Sequence, residues 1–283
     1  GAAQPFVGLE TLRNLKILIH KDIEDQKKVS SILGTIDDLR SIYLRKSESL
    51  EKIAQLLYRE WFVEFRYPEH KNVNLVDSEF GKIPEGWKII DAKDVLSFKK
   101  GFEPGSNEYV DRKINSDFIN FYRVGDLESN GESTFFIKKD NKGIDLCEKK
   151  DILISLDGSL GKVAIGLNGA YSSGIRKVLP KEGSISRGFI YFWLKSKYVQ
   201  DMINTYAKGS TILHAGNVIN YLELAYNEKL YEEFAKLIDP IFELILNLQM
   251  QNKTLESIRD LLLPKLMSGE IDVSKLDINI NEK

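Results

Sequence analysis

Several short stretches of this sequence carry side chains that could do chemistry. Asp145 followed by Glu148-Lys149-Lys150 has the residue types of a nuclease Asp…Glu-x-Lys set. In a chain that is 29% charged, such triplets arise by chance. Gly158-Ser159-Leu160-Gly161-Lys162 invites comparison with a phosphate-cradling loop, but that pattern needs four residues between its glycines and Ser or Thr after the lysine. Here two residues intervene and Val163 follows. The stretch therefore reads as a tight turn between strands Ile152–Leu156 and Lys162–Leu167. Such a turn could be a plain hairpin, or could offer backbone N–H groups, Ser159 and Lys162 to a nucleic-acid phosphate or base edge. Lys208, Ser210, Thr211 and His214 form a small polar loop, and Ser172, Ser173, Arg176 and Lys177 form another. Lys99-Lys100 and Arg112-Lys113 read as basic loop tips. Each alone is more often a solvated surface; together they give a domain whose loops, not its strands, carry hydrogen-bond donors. No catalytic dyad or triad emerges, because nothing pairs with the three histidines at a recognisable spacing. Three histidines and one cysteine leave no zinc cluster. The expectation is no catalytic residue, no metal and no cofactor.

Charge supports a binding role only weakly. Residues 81–220 hold 21 Lys+Arg against 17 Asp+Glu, a net +4, and the remainder holds 19 against 25, a net −6. The middle is basic and its flanks are acidic, which bears on partners rather than on fold. No run of about 18 apolar residues is present, so no membrane span is expected. The N-terminus lacks a basic-then-apolar export signal, and the lone Cys147 suits a reducing compartment. The expected location is cytoplasmic.

Two elements must position these loops, and the chain writes them twice. Leu50-Glu51-x-Ile53-x-x-Leu56-Leu57 returns 205 residues later as Leu255-Glu256-x-Ile258-x-x-Leu261-Leu262. Each copy is apolar at a seven-residue step, the signature of a coiled-coil seam. In the first copy the rows are Val29, Ile36, Tyr43, Leu50, Leu57 and Ile32, Leu39, Ile53. In the second they are Phe234, Ile241, Leu248, Leu255, Leu262 and Leu237, Leu244, Ile258. The spacing predicts helices over Asp22–Phe65 and Glu228–Met267, each packing its seam on the other. Gly34-Thr35 aligns with Asp239-Pro240, which predicts a weak or kinked turn at one level of both. Asp239-Pro240-Ile241-Phe242 is superficially like the Asn/Asp-Pro-Pro-Tyr/Phe motif of DNA amino-methyltransferases. It lacks the second proline, sits inside the heptad, and no Phe-x-Gly-x-Gly loop accompanies it.

A short alternating strand, Leu15-x-Ile17-x-Ile19, precedes the first helix and matches Asn220-x-Leu222-x-Leu224 at the same offset. Between the helices, Gly81-x-Ile83-Pro84-x-Gly86-Trp87 opens a new domain with a turn around a buried aromatic. Short apolar runs follow at Phe118–Val124, Thr134–Ile137, Asp151–Leu156, Lys162–Leu167 and Ile175–Leu179. Phe189–Thr205 reads as one helix. The expected fold is α+β, with one mixed α/β domain and two long antiparallel coiled-coil helices. The divisions are 1–23, the end of a preceding domain or connector strand; 24–67, the first helix; 68–80, a linker; 81–227, the mixed domain; 228–270, the second helix; and 271–283, a tail.

Four groups of residues then resemble a known family. These are Ile83-Pro84-Glu85-Gly86-Trp87, the stretch from Asp151-Ile152-Leu153-Ile154-Ser155 through Gly161-Lys162-Val163-Ala164, Gly209-Ser210-Thr211, and the closing Leu261-Leu262-Leu263-Pro264-Lys265-Leu266-Met267-Ser268-Gly269-Glu270. With Glu24–Val29 at the entry to the first helix, the sequence resembles the specificity subunit of type I restriction–modification enzymes. The resemblance implies a target recognition domain that reads double-stranded DNA. It also implies conserved helices that act as a spacer and dock methyltransferase subunits, and through them the restriction subunit, with no chemistry of the subunit's own. The family pattern is domain, helix, domain, helix; this chain shows helix, domain, helix. The implied state is half-length or truncated, and a half subunit would form a homodimer on a two-fold symmetric split target. The competing reading is a non-catalytic coiled-coil assembly module whose middle domain binds a protein. A third, an enzyme using Glu148 and Lys150 or Asp239, has least support.

Overall fold

The computed structural model describes residues 8–16, 19–78, 81–105, 107–128, 133–141, 143–181, 185–209 and 213–278. In chain order the helices are α1 (Leu9–Arg13), α2 (Ile23–Phe62), α3 (Ala92–Val95), α4 (Arg187–Leu194), α5 (Lys197–Thr205) and α6 (Glu228–Ser268). The strands are β1 (Leu75–Ser78), β2 (Gly81–Pro84), β3 (Lys88–Asp91), β4 (Leu96–Lys100), β5 (Tyr109–Val110), β6 (Phe118–Tyr122) and β7 (Phe135–Lys138). They continue with β8 (Leu146–Cys147), β9 (Ile152–Ser155), β10 (Val163–Ala164), β11 (Gly169–Tyr171), β12 (Ile175–Pro180) and β13 (Glu223–Tyr226). The fold is α+β.

Two sheets carry the middle of the chain. The first is antiparallel, in the order β10-β9-β12-β4. All four residues of β9 and the first four of β12 are buried, the pattern of a central strand covered on both faces. The second has the order β5-β7-β6-β11-β8 and is mixed, since β11 runs parallel to β6. β1-β2 and β13-β3 are separate antiparallel pairs. Trp87 is buried as expected, ringed by Phe62, Phe65 and Tyr67 at 5.2–5.8 Å between centroids.

The 189–205 stretch is two helices rather than one. Ser196 ends α4, and its Oγ accepts from the Val199 N–H to cap α5. A serine offers the backbone this alternative partner and so favours a new helix start. At the start of α4, Ser186 Oγ accepts from Phe189 N–H, and Asp239 Oδ1 accepts from Gly188 N–H at 3.1 Å. Asp239 is therefore a cap, which accounts for a carboxylate in the middle of α6.

The chain divides into two compact units, Gly1–Leu44 with Gln251–Lys283, and Arg45–Met250. In the first, the early part of α2 runs antiparallel to the late part of α6. Val29 packs with Leu266 and Val273, Asp37 pairs with Arg259, and Arg40 pairs with Glu256. His20 Nε2 lies 2.6 Å from the Leu266 carbonyl, and Lys28 donates to the carbonyls of Val273 and Ser274. In the second unit, Trp61 and Phe62 near the end of α2 pack on Phe234 near the start of α6. Both helices run unbroken past Gly34 and Pro240.

The rows that pack differ from the expected seam. The first row holds: Val29, Phe234 and Leu248 are buried, and Ile36, Tyr43, Leu50, Leu57, Ile241, Leu255 and Leu262 are partly so. The second row holds only in part. Ile32 and Leu39 are partly buried, Ile32 against Val29, Leu266 and Val273, whereas Ile53, Leu237, Leu244 and Ile258 are 50%, 47%, 44% and 40% exposed. The buried companions lie one residue further on: Ser47, Ala54 and Trp61 in α2, and Ile238, Ile245, Asn252 and Leu266 in α6.

The expected strand at 15–19 is a correction. Leu15, Lys16 and Ile19 carry no ladder, a helical turn at Leu9–Arg13 precedes them, and Ile17 lies outside the described residues. Its counterpart, expected at 220–224, is met only in part: Asn220 ends a 3-10 turn, and the strand β13 starts at Glu223, where β3 lies beside it to pair. No helix among the described residues is long and apolar enough to cross a membrane.

Candidate nucleic-acid interface

One end of the β10-β9-β12-β4 sheet gathers most of the candidate residues. β9 and β4 end there and β12 begins there, with Lys100 opposite Arg176 and Lys99 opposite Lys177. Three loops close over this end and are tied by backbone bonds. Leu156 and Asp157 N–H both donate to Gly174 O, Gly158 N–H to Leu213 O, and Ala215 N–H to Leu156 O. Gly174 is needed here, since a Cβ would sit 2.8 Å from Val124 Cγ2.

Lys99 and Lys100 are exposed but lie on strand β4, which corrects their reading as a loop tip. Arg176 and Lys177 are likewise on a strand and buried, so neither is an open loop donor. Strand alternation sends them to opposite faces. Arg176 Nη1 donates to Ser173 O at 2.6 Å and Ile175 O at 3.1 Å, and Nη2 lies 3.8 Å from Asp157 Oδ2. Burial pushes its pKa down, partly offset by Asp157. Lys177 Nζ donates to Asp145 Oδ1 and Leu146 O, with Asp151 4.0 Å away and the Tyr171 ring beneath it. Burial opposes the Asp145 charge, but the Tyr171 hydroxyl at 2.6 Å and Lys177 outweigh it and hold the carboxyl below its ordinary range. The same burial, with Asp145 beside it, drives the Tyr171 pKa up.

Ser172 is buried, and Ser173 Oγ donates to Glu103. Lys162 pairs with Glu128. The 158–162 stretch is a hairpin loop, with Gly158 and Gly161 both at φ +74 and Ser155 Oγ accepting from Lys162 N–H. Ser159 is exposed at its tip. Lys208 is exposed and bridges His214 through two backbone bonds; Ser210 and Thr211 lie outside the described residues. His214 Nδ1 lies 2.8 Å from Asp157 Oδ1. Arg112 and Lys113 are exposed between β5 and β6, on the other sheet. Of the candidate lysines and arginines, those left facing water without an ion-pair partner among the described residues are thus Lys99, Lys100, Lys208, Arg112 and Lys113. Asp157, which joins Arg176 to His214, was missed; a lone carboxylate before Gly158 gives no signal of its own.

The nuclease-like set does not assemble. Asp145 is taken by Lys177 and Tyr171, and Lys150 pairs with Glu243 at 2.7 Å. No His, Cys, Asp or Glu group suited to a metal is found among the described residues.

The site is thus a charged, loop-bearing sheet end on a mixed domain flanked by long helices. Residues 84–218 match the model of the type I restriction modification DNA specificity domain. The likeness runs further than the domain. The chain is 28% identical to the type I restriction enzyme MjaIX specificity subunit of Methanocaldococcus jannaschii, over 98% of this chain and 65% of that protein. It is 24% identical to the MjaVIII specificity subunit of the same organism, over 98% and 67%. The crystal structure of a type I restriction–modification S subunit from M. genitalium shares the fold, with a TM-score of 0.58 at 17% identity over 92% of this chain and 65% of that one. The chain thus spans about two thirds of the length of these relatives.

Proposed function

We propose that this chain is the DNA-reading, non-catalytic specificity component of a type I restriction–modification system. It reads one half of a split duplex target through the loops at the β4/β9/β12 sheet end. Phosphates are met by Lys99, Lys100, Lys208, Arg112 and Lys113, and base edges by side chains of the 156–158, 172–174 and 213–216 loops. Methyltransferase subunits dock on the long helices and recruit the restriction subunit, and two copies of the chain pair on a symmetric site. The carrying observation is that the specificity-domain match at 84–218 spans the sheet end where these loops converge. The apolar residues left outside the helix contact, Ile53 and Leu56 on α2 and Leu237 and Leu244 on α6, support the docking part.

The test is a duplex-binding titration with the methyltransferase subunit present, at about 50 and about 200 mM salt. Expected are a preferred sequence and an affinity that falls steeply with salt. Equal binding of every duplex at both salts would sink the reading. One observation favours the assembly-module alternative: Lys162, Arg176 and Lys177 are neutralised within the fold. Reversing Lys99, Lys100 and Lys208 to glutamate separates the two. Unchanged DNA affinity with intact partner binding would favour the module.

A further inference from the structure

We infer that His214 is a specificity-determining residue that reads an exocyclic amine, adenine N6 or cytosine N4, and that Asp157 is the positioning residue that makes it able to do so. This rests on the DNA-reading function proposed above. The argument begins with geometry. Asp157 Oδ1 lies 2.8 Å from His214 Nδ1, while the His214 side chain stays 62% exposed. A carboxylate accepts hydrogen bonds and cannot donate them when ionised. It therefore selects the imidazole tautomer with its proton on Nδ1, as second partners of histidine generally do. Nε2 is then a lone-pair acceptor, and it has no partner among the described residues.

Such an acceptor discriminates. It repels a phosphate oxygen, so with Nε2 as acceptor His214 is a poor backbone contact. In the major groove it pairs with the amines of adenine or cytosine and faces only acceptors at guanine N7/O6 and thymine O4. The mounting is rigid. Asp157 is three-quarters or more out of water and close to the buried Arg176 guanidinium, which is itself bonded to Ser173 O and Ile175 O. The backbones on either side of His214 are pinned, by Lys208 to His214 itself and by Leu156 to Ala215. A Cβ on Gly216 would come 3.1 Å from Arg176 Nη2, so the loop packs against the same guanidinium. One buried cation, one carboxylate and one imidazole thus fix a single acceptor at the surface of the sheet end.

The test uses the full chain with its methyltransferase subunit and a library of duplexes varied one base pair at a time. The wild type is expected to prefer an amine-bearing base at one position. His214→Ala should lose roughly fivefold of preference there, the scale of one hydrogen bond, with other positions and the salt slope unchanged. Asp157→Asn can donate to Nδ1, which moves the ring proton to Nε2. It should shift preference at that position toward guanine or thymine, and His214→Ala on top of it should abolish the shift. Two results overturn the inference while leaving DNA reading intact. One is a wild-type preference that His214→Ala leaves unaltered at every position. The other is a uniform loss across all sequences with a shallower salt slope, which marks a phosphate contact. Absence of any wild-type sequence preference would instead overturn the DNA-reading function itself.

Discussion

Arg40 of α2 and Glu256 of α6 face each other at 2.5 Å with more than three-quarters of each side chain out of water. Asp37 lies 3.7 Å from the same arginine and also pairs with Arg259, so the contact is a small network. Arg40 Nε is buried without a partner among the described residues, which marks the site as imperfectly satisfied. Removing one partner of such a pair leaves a half-desolvated charge, whereas an apolar replacement refills the space. Arg40→Ala should cost about 1–3 kcal/mol, between exposed and buried pairs, and Arg40→Met clearly less. Urea unfolding of both variants measures this; an equal loss in both would show that burial of the stem, not the pair, matters.

Phe62 sits where α2, α4, α6 and the domain opening meet. Its ring contacts Trp87, Phe189, Tyr231 and Phe234 at 4.9–5.8 Å, mostly edge-on. Aromatic truncation in a packed core costs about 3–5 kcal/mol. Phe62→Ala should approach the upper end, and Phe62→Leu should recover much of the loss. A change under about 1 kcal/mol for the alanine variant in denaturant unfolding would mean the cluster collapses freely around the gap.

Much of this architecture was legible, and the failures have definite causes. The two helices, the buried Trp87 and strands β6, β7, β9, β10 and β12 follow from apolar period and turn residues, whereas β1 to β5, β8 and β11 do not. The second packing row does not, because its members include Arg40, Ser47, Ala54 and Asn252, small or polar residues that a hydrophobic pattern skips. The apolar residues one position earlier carry the pattern, yet Ile53, Leu237, Leu244 and Ile258 face outward. The site was misread for a different reason. Arg176 and Lys177 look like free donors in a row of letters, and the carboxylates that neutralise them, Asp157 and Asp145, are brought close only by the sheet. The break at Ser196 is a choice between two hydrogen-bond partners for one backbone group, to which periodicity is blind.

Those outward residues give the docking proposal a sharp test. Ile53 and Leu56 on α2 and Leu237 and Leu244 on α6 are all well exposed. A charge there costs the lone chain little, since the position is already wet. Paired substitutions Ile53→Glu and Leu244→Glu should leave the unfolding midpoint within about 0.5 kcal/mol. Affinity for the methyltransferase subunit should fall at least tenfold by calorimetry. Unaltered affinity would move the docking surface elsewhere.

Cys147 is a buried thiol whose Sγ donates to the Gly169 carbonyl. Burial pushes its pKa up to about 12, so at neutral pH the nucleophilic thiolate is nearly absent. The native protein should resist a thiol-specific aromatic disulfide for hours at pH 8 and react within minutes once denatured. Rapid native labelling at the same pH would show that β8 opens readily.

Asp145 gives a prediction in pH. Tyr171 and Lys177 hold its folded-state carboxyl below the ordinary aspartate range despite burial. A depressed folded pKa means that the ionised form stabilises the fold above the unfolded pKa, and that this contribution is lost as pH falls through the folded one. The window is therefore the acid side of about pH 4. Asp145→Asn should be less stable than the wild type at pH 7, and the gap between them should narrow steadily from pH 4 downward. Tyr171→Phe removes one of the two donors, so its loss of stability should begin at higher pH than in the wild type. Both follow from denaturant midpoints across a pH series. A gap between Asp145→Asn and wild type that stays constant from pH 7 to pH 3 would mean that shape and hydrogen bonding, not charge, is what Lys177 needs at this position.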